Sequence, residues 1–199
     1  SVMERAKHHI FQVLTKRPER MLELLGEPVA SGEKGPPSNI WWGVSVEDQD
    51  TADERIPLLL QTPAAVRWIS AEPLLSDIDL LNIDLGDLYW LNALNGRVRI
   101  AHDGGMSPAP IYGKLDWIVA GGESGPKARP MQPDWARSLR DQCQAARVPY
   151  FFKQWGEFGP NWLNDDSGKK IAGTEWVDRM GKKVTGRELD GRTWDEYPC

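Results

Sequence analysis

Five short apolar segments, each running into polar or charged residues, constrain this chain more than any other feature. They are His9–Leu14 leading into Thr15–Pro18, Ile40–Val46 into Glu47 and Asp48, Val66–Ser70 into Ala71–Pro73, Leu115–Ala120 into Gly121–Pro126, and Val148–Phe152 into Lys153–Glu157. Their cores are near-continuous apolar runs, the pattern of strands covered on both faces. Right-handed βαβ crossovers turn such a series into a parallel sheet or barrel. All five polar ends then meet at one rim, where α/β folds place their chemistry. The expected class is α/β: a partial (β/α) TIM-like barrel with about five parallel strands, since five units are too few to close eight. The chain enters its first strand at His9, so further strands are expected on its N-terminal side.

The spacing predicts one domain over 1–199, with helices between the strands. Pro18 opens a helix whose inner stripe is Met21, Leu22 and Leu25, and Gly26 ends it. Gly26–Ser38 reads as a loop rich in Gly and Pro. Thr51–Glu54 has a capping-box pattern, which starts a helix there, and Pro57 is expected to kink or restart it. Pro133–Arg147 is the clearest helix, with Trp135, Ala136, Leu139, Cys143 and Ala146 on one face. The interval between the third and fourth strands is too long for one crossover and holds an insertion, about 76–114. In it, Leu88–Leu91 and Arg97–Ala101 flank Asn95–Gly96 and predict a β-hairpin, followed by a loop over Asp103–Pro110. The tail, about 156–199, reads as irregular structure or short strands that wrap the barrel.

Net charge is −5, from 24 basic and 29 acidic residues. That argues against a large nucleic-acid footprint, while leaving room for a local basic patch. No apolar run approaches the ~20 residues of a membrane span and no signal peptide is visible, so no membrane partner is expected. Two cysteines, Cys143 and Cys199, are too few for a disulfide framework and fit a reducing, cytoplasmic setting. Ten Trp is a high count, and many sit in or beside strands, where packing accounts for them.

The candidate site residues lie at the strand ends. In Gly121–Gly122–Glu123, paired glycines let backbone approach a ligand, and Glu123 can accept from a ribose hydroxyl or an ammonium. The competing reading is a tight turn that needs glycine. Ser45 and Glu47 share a strand face and can grip a ribose or a metal; against this, Glu47 and Asp48 are also what an acidic helix start requires. Glu72 is either a general base or an ion-pair partner of Lys16, Arg17 or Lys153. Lys16 and Lys153 facing these carboxylates make a mixed-charge pocket for a small zwitterionic or phosphorylated ligand, or a salt-bridge network that holds the mouth together. His8, His9 and His102 lack metal-ligand spacing, as do the cysteines, so no metal site is expected. There is no Walker motif, GxGxxG or Gly-x-Ser-x-Gly elbow. Cys143 reads as inert core.

Several strings carry a resemblance: Phe11–Pro18 (FQVLTKRP), Trp42–Asp48 (WGVSVED), Ser70–Leu75 (SAEPLL), Val119–Gly125 (VAGGESG), Phe152–Glu157 (FKQWGE) and Leu189–Trp194 (LDGRTW). Together they resemble the phage and prophage gene product thirty-seven/sixty-eight family, a domain of unknown function, along nearly the whole chain. The resemblance implies a partial TIM barrel related to radical S-adenosylmethionine enzymes, in the cytoplasm of a bacterial host. Full-length members carry an N-terminal three-cysteine loop for an iron–sulfur cluster. This chain has no such loop, so it is expected to be a C-terminal portion or a natural truncation, inactive alone and without a cofactor of its own. The resemblance implies S-adenosylmethionine and an iron–sulfur cluster for the full-length protein. The resemblance places Ser45 and Glu47 near the ribose, and Glu72, Gly121, Gly122 and Glu123 near the rest of the ligand or the substrate. The alternative is a non-catalytic phage accessory protein that binds nucleic acid or a protein. A sheet lacking its first strands also leaves an open edge beside Phe11, a route to homo-oligomers.

Overall fold

The computed structural model describes residues 1–26, 35–100, 105, 107, 112–160 and 177–198. In chain order the elements are α1 (Val2–Arg5), β1 (Phe11–Thr15), α2 (Pro18–Leu25), β2 (Ile40–Ser45), α3 (Gln49–Gln61), β3 (Val66–Ala71), β4 (Ile83–Asp84), β5 (Tyr89–Asn92), β6 (Arg97–Ile100), β7 (Trp117–Gly121), α4 (Pro133–Ala146), β8 (Tyr150–Gln154), β9 (Phe158–Pro160), β10 (Val177–Arg179), α5 (Lys182–Thr185), β11 (Glu188–Leu189) and β12 (Arg192–Thr193). The five expected strands form one parallel sheet in the order β1-β2-β3-β7-β8. The sheet is open, not a closed barrel, and small antiparallel sheets accompany it.

Alternation along the strands divides the sheet into two faces. On one face, Val44, Val46, Ile69, Ala71, Ile118, Ala120 and Phe152 pack with Ile56 and Leu59 of α3 and Leu139 of α4. Each fully buried Val, Ile, Leu or Phe contributes roughly 1.5–3 kcal/mol relative to exposure. The other face is floored by Trp41, Trp68 and Trp117 with Val119. Gly43 lies beside Trp68 in register, and a Cβ at Gly43 would stand 2.5 Å from the Trp68 indole. Only glycine leaves the ring that space. Packing therefore accounts for these tryptophans.

Several local expectations need correction. The α3 helix begins at Gln49, with Asp48 as N-cap; Thr51 is the third helical residue, and the two side chains cap reciprocally. Thr51 is thus part of a capping box, one turn inside the position the sequence pattern suggested. The helix also runs on through Pro57 to Gln61. The fully buried Leu59 and Leu60 beyond the proline hold its last turn against a cost of about 3 kcal/mol. Ala146 is exposed, because α4 ends there and Arg147 turns left-handed.

No helix crosses between β3 and β7 among the described residues. The insertion does so, as a three-stranded antiparallel sheet β4-β5-β6. The expected hairpin is present as β5 and β6, with a longer turn than Asn95–Gly96 alone, because Ala93 and Leu94 tuck inward. Much of the two expected loops (27–34, 103–104, 106 and 108–110) lies outside the described residues, as does Ala101, the expected end of the second hairpin strand. The described tail consists of two short strand pairs, β9 with β10 and β11 with β12, and, unlike the expected irregular structure or short strands alone, the one-turn helix α5 between them. It also covers the outer edge of β8: the Phe152 amide donates to Trp194 O at 3.0 Å, and the Glu196 amide to Tyr150 O at 3.2 Å. At the opposite edge, β1 pairs with β2 alone among the described residues, and Leu14 is 44% exposed.

Candidate functional site at the strand ends

Parallel strands place their C-terminal ends on one side, so the polar residues that stop each strand collect there. Lys16 leaves β1, Ser45 closes β2 and Glu47 follows, Glu72 follows β3, Gly121 closes β7, and Lys153 lies near the end of β8. The structure organises these residues into three ion-paired groups.

Glu47 is the centre of the first. One carboxylate oxygen accepts from Lys16 Nζ and the other from Arg55 Nη1 at 3.3 Å. The same Arg55 nitrogen donates to Ser45 O at 2.8 Å, which ties α3 to the end of β2. Asp48 points elsewhere: it caps α3 through Thr51, whose hydroxyl and amide both donate to its carboxylate and hold that group below the usual aspartate range. The helix-start reading therefore applies to Asp48.

Glu72 forms the second group. Its Oε2 accepts from Lys153 Nζ at 2.8 Å and its Oε1 from Gln154 Nε2 at 3.1 Å. Of the three partners the sequence offered, Lys153 is the one it takes. Gly121 passes directly beside this carboxylate, since a Cβ there would lie 3.5 Å from Glu72 Cδ. The third group is Glu123 with Arg129. Arg129 Nε and Nη2 donate to the two carboxylate oxygens at 2.8 and 3.0 Å, and its backbone amide adds a third bond at 2.8 Å. The side-chain bonds from Arg129 hold Glu123 below the usual glutamate range.

Gly122 serves close packing. Its amide donates to Gln154 O at 2.9 Å, and a Cβ would fall 1.8 Å from Trp155 O. The chain leaving β7 passes so near the chain leaving β8 that only glycine fits. Arg55, Arg129 and Gln154 were missed in the sequence. Arg129 could have been suspected from its place six residues after Glu123 in the same loop. Arg55 could not, because its role depends on where α3 starts.

Among the described residues no group of three or more His, Cys, Asp and Glu side chains is arranged to hold a metal ion. Cys143 is fully buried on the core face of α4, and burial pushes its thiol far above the usual range. His8 and His9 are exposed, while His102 and Cys199 lie outside the described residues. No described helix is long and apolar enough to cross a membrane.

A family model of proteins of unknown function, DUF5131, matches residues 1–198. The chain belongs to the DUF5131 family. No curated protein and no solved structure matches it. For this DUF5131 chain, function must therefore be argued from the rim itself.

Proposed function

We propose that the chain binds a small charged ligand at the strand-end rim, as part of a phage-type protein resembling radical S-adenosylmethionine enzymes, and that S-adenosylmethionine is the ligand. One observation carries the reading. Three carboxylates from three strand ends, Glu47, Glu72 and Glu123, converge on one rim, each held in place by its own cation. Such pairing fixes charged groups of both signs before a ligand arrives, which lowers the ordering cost of binding a zwitterion. Ser45 and Glu47 would take the ribose side of the ligand. Glu72, Gly121, Gly122 and Glu123 would line the rest. Lys16 and Lys153, with Glu72, are the candidates for proton transfer.

An iron–sulfur cluster does not fit these residues. A cluster requires several cysteine thiolates, whereas Cys143 is sealed in the core and its thiol is held protonated. A nucleic-acid or protein-binding accessory role is the alternative, and the net charge of −5 weighs against its nucleic-acid form.

Titration calorimetry with S-adenosylmethionine and S-adenosylhomocysteine tests the proposal. The expected result is saturable binding that Glu123→Gln and Lys153→Met each weaken by about tenfold, equivalent to about 1.4 kcal/mol. No heat with either compound, or binding indifferent to both substitutions, would overturn it.

A further inference from the structure

At the end of the sheet opposite the rim, the segments that lead into β3, β7 and β8 line a cavity of about 300 Å³. Val66, Val148 and Pro198 are among its apolar walls, and its charged groups are Lys114, Asp116 and Arg147. The tail supplies one wall. Trp117 Nε1 donates to Glu196 O at 2.8 Å, and the Tyr197 ring packs on Trp117 at 5.3 Å between centroids, which sets the place of Pro198.

The charged groups are held in place but left without partners. The Asp116 amide donates to Arg67 O at 2.8 Å, and the Arg67 amide returns a bond to Asp116 Oδ2 at 2.9 Å. Asp116 Oδ1 accepts no hydrogen bond among the described residues. The Arg67 guanidinium is engaged elsewhere, since its Nε donates to Thr62 O at 3.0 Å. Burial raises the Asp116 pKa against the pull of the Arg67 amide and of the Arg67 and Lys114 charges. Arg147 ends α4 in the left-handed region, at φ 57°, where its amide donates to Cys143 O and Gln144 O. Glycine is the usual residue at such a turn, so the backbone gives no reason for an arginine there. Neither Lys114 nor Arg147 makes a side-chain hydrogen bond or an ion pair among the described residues. Two cations and one carboxylate oxygen thus line the same space unpaired, in a chain whose net charge is −5.

We propose that this cavity is a second ligand site, for a free α-amino acid with an apolar side chain. Asp116 is half-buried and both cations are exposed. The ammonium therefore goes inward to Asp116 Oδ1, and the carboxylate stays at the mouth with Lys114 and Arg147. The side chain lies against Val66, Val148 and Pro198. Charge-assisted hydrogen bonds of this kind are the strong ones. A ligand with one charge alone does worse: a simple amine leaves both cations unmatched, and a simple carboxylate leaves Asp116 unmatched.

Nuclear magnetic resonance of the backbone amides tests the proposal. The probes are L-leucine, isocaproate, which is leucine without its ammonium, and isoamylamine, which is leucine without its carboxylate. The Arg67 amide reports on the site because it donates to the Asp116 carboxylate. Leucine is expected to shift it saturably, and each analogue to bind at least about tenfold more weakly. Arg147→Gly removes one cation and suits the left-handed turn, so it should weaken leucine by about tenfold with a melting temperature unchanged or raised. Lys114→Met should weaken leucine as well and stands in if the glycine variant misfolds. No saturable shift with leucine, either analogue binding as tightly as leucine, or leucine binding indifferent to both substitutions would each overturn the proposal. The cavity and the rim lie at opposite ends of the sheet, so the leucine and S-adenosylmethionine titrations can each fail without the other.

Discussion

Glu72 Oε2 and Lys153 Nζ meet at 2.8 Å although β3 and β8 are not neighbours. The pair spans the end of β7, where Gly121 lies beside the carboxylate: a Cβ there would stand 3.5 Å from Glu72 Cδ, at ordinary contact distance. More than half of the Lys153 side chain is exposed, so solvent screening limits its contribution. Lys153→Met should therefore cost no more than about 1 kcal/mol in urea unfolding. Glu72→Met should cost more, since it also strips Gln154 Nε2 of its carboxylate acceptor. Equal costs for the two would show that Gln154 finds another partner at no loss.

Gly122 separates packing from ligand contact. Any Cβ there collides with the Trp155 carbonyl, which is backbone and cannot swing aside. Gly122→Ala should lower stability by about 3 kcal/mol or more. The check is the urea midpoint, read with an unchanged slope. A variant of normal stability would mean that the β7 and β8 exits separate easily. Loss of ligand binding in this variant would report on the fold rather than on contact with a ligand.

The five strands and their common polar ends were legible in the sequence because apolar runs and their terminators are local signals. Each strand lies within about two residues of its expected place, and β8 begins just after Pro149. The hairpin was legible for the same reason. What was illegible depends on long-range placement. Arg55 reaches Glu47 from a helix that starts at Gln49, three residues before the start that a Thr51 cap implies. Arg129 acts through a loop path that no periodicity encodes, and Gln154, at the end of β8, reaches Glu72 across β7, a pairing set by the strand order. The tail's role as a cover for β8 rests on Trp194 and Glu196, whose backbone pairing has no sequence signature.

Asp48 offers a test of the corrected helix start. Removal of a capping carboxylate typically costs about 1 kcal/mol, so Asp48→Ala should destabilise by that amount, while Asp48→Asn should be close to neutral. The folded-state pKa of Asp48 lies below 3.8, chiefly through its bond from the Thr51 hydroxyl. Its charge-dependent contribution is therefore complete above 3.8 and is lost as pH falls through the lower, folded value. Urea unfolding at neutral pH and at about pH 3 should show the Ala variant's deficit shrinking in acid. A deficit that grew in acid would reverse the sign of the shift.

Asp190 holds the tail that seals β8. Arg137 Nη2 donates to its Oδ1 at 2.8 Å and Arg140 Nη1 to its Oδ2 at 2.5 Å, both from α4. Burial raises the Asp190 pKa, but the bonds and charges of the two arginines outweigh it and the net shift is downward. The residue sits in the left-handed region, at φ 56°, which asparagine also tolerates. Asp190→Asn therefore removes the charge and preserves the turn. About three quarters of this side chain is buried, so the loss should be about 1–2 kcal/mol. It should act first on the tail, because Trp194 and Glu196 follow within six residues and cover the β8 edge. Amide exchange locates the effect. Phe152, whose amide donates to Trp194 O, should exchange roughly tenfold faster in the variant, a factor equal to about 1.4 kcal/mol of local opening. Amides of the central strand β3 should keep their wild-type order of protection. Uniform acceleration across the sheet would instead mean that the tail and the sheet open as one unit.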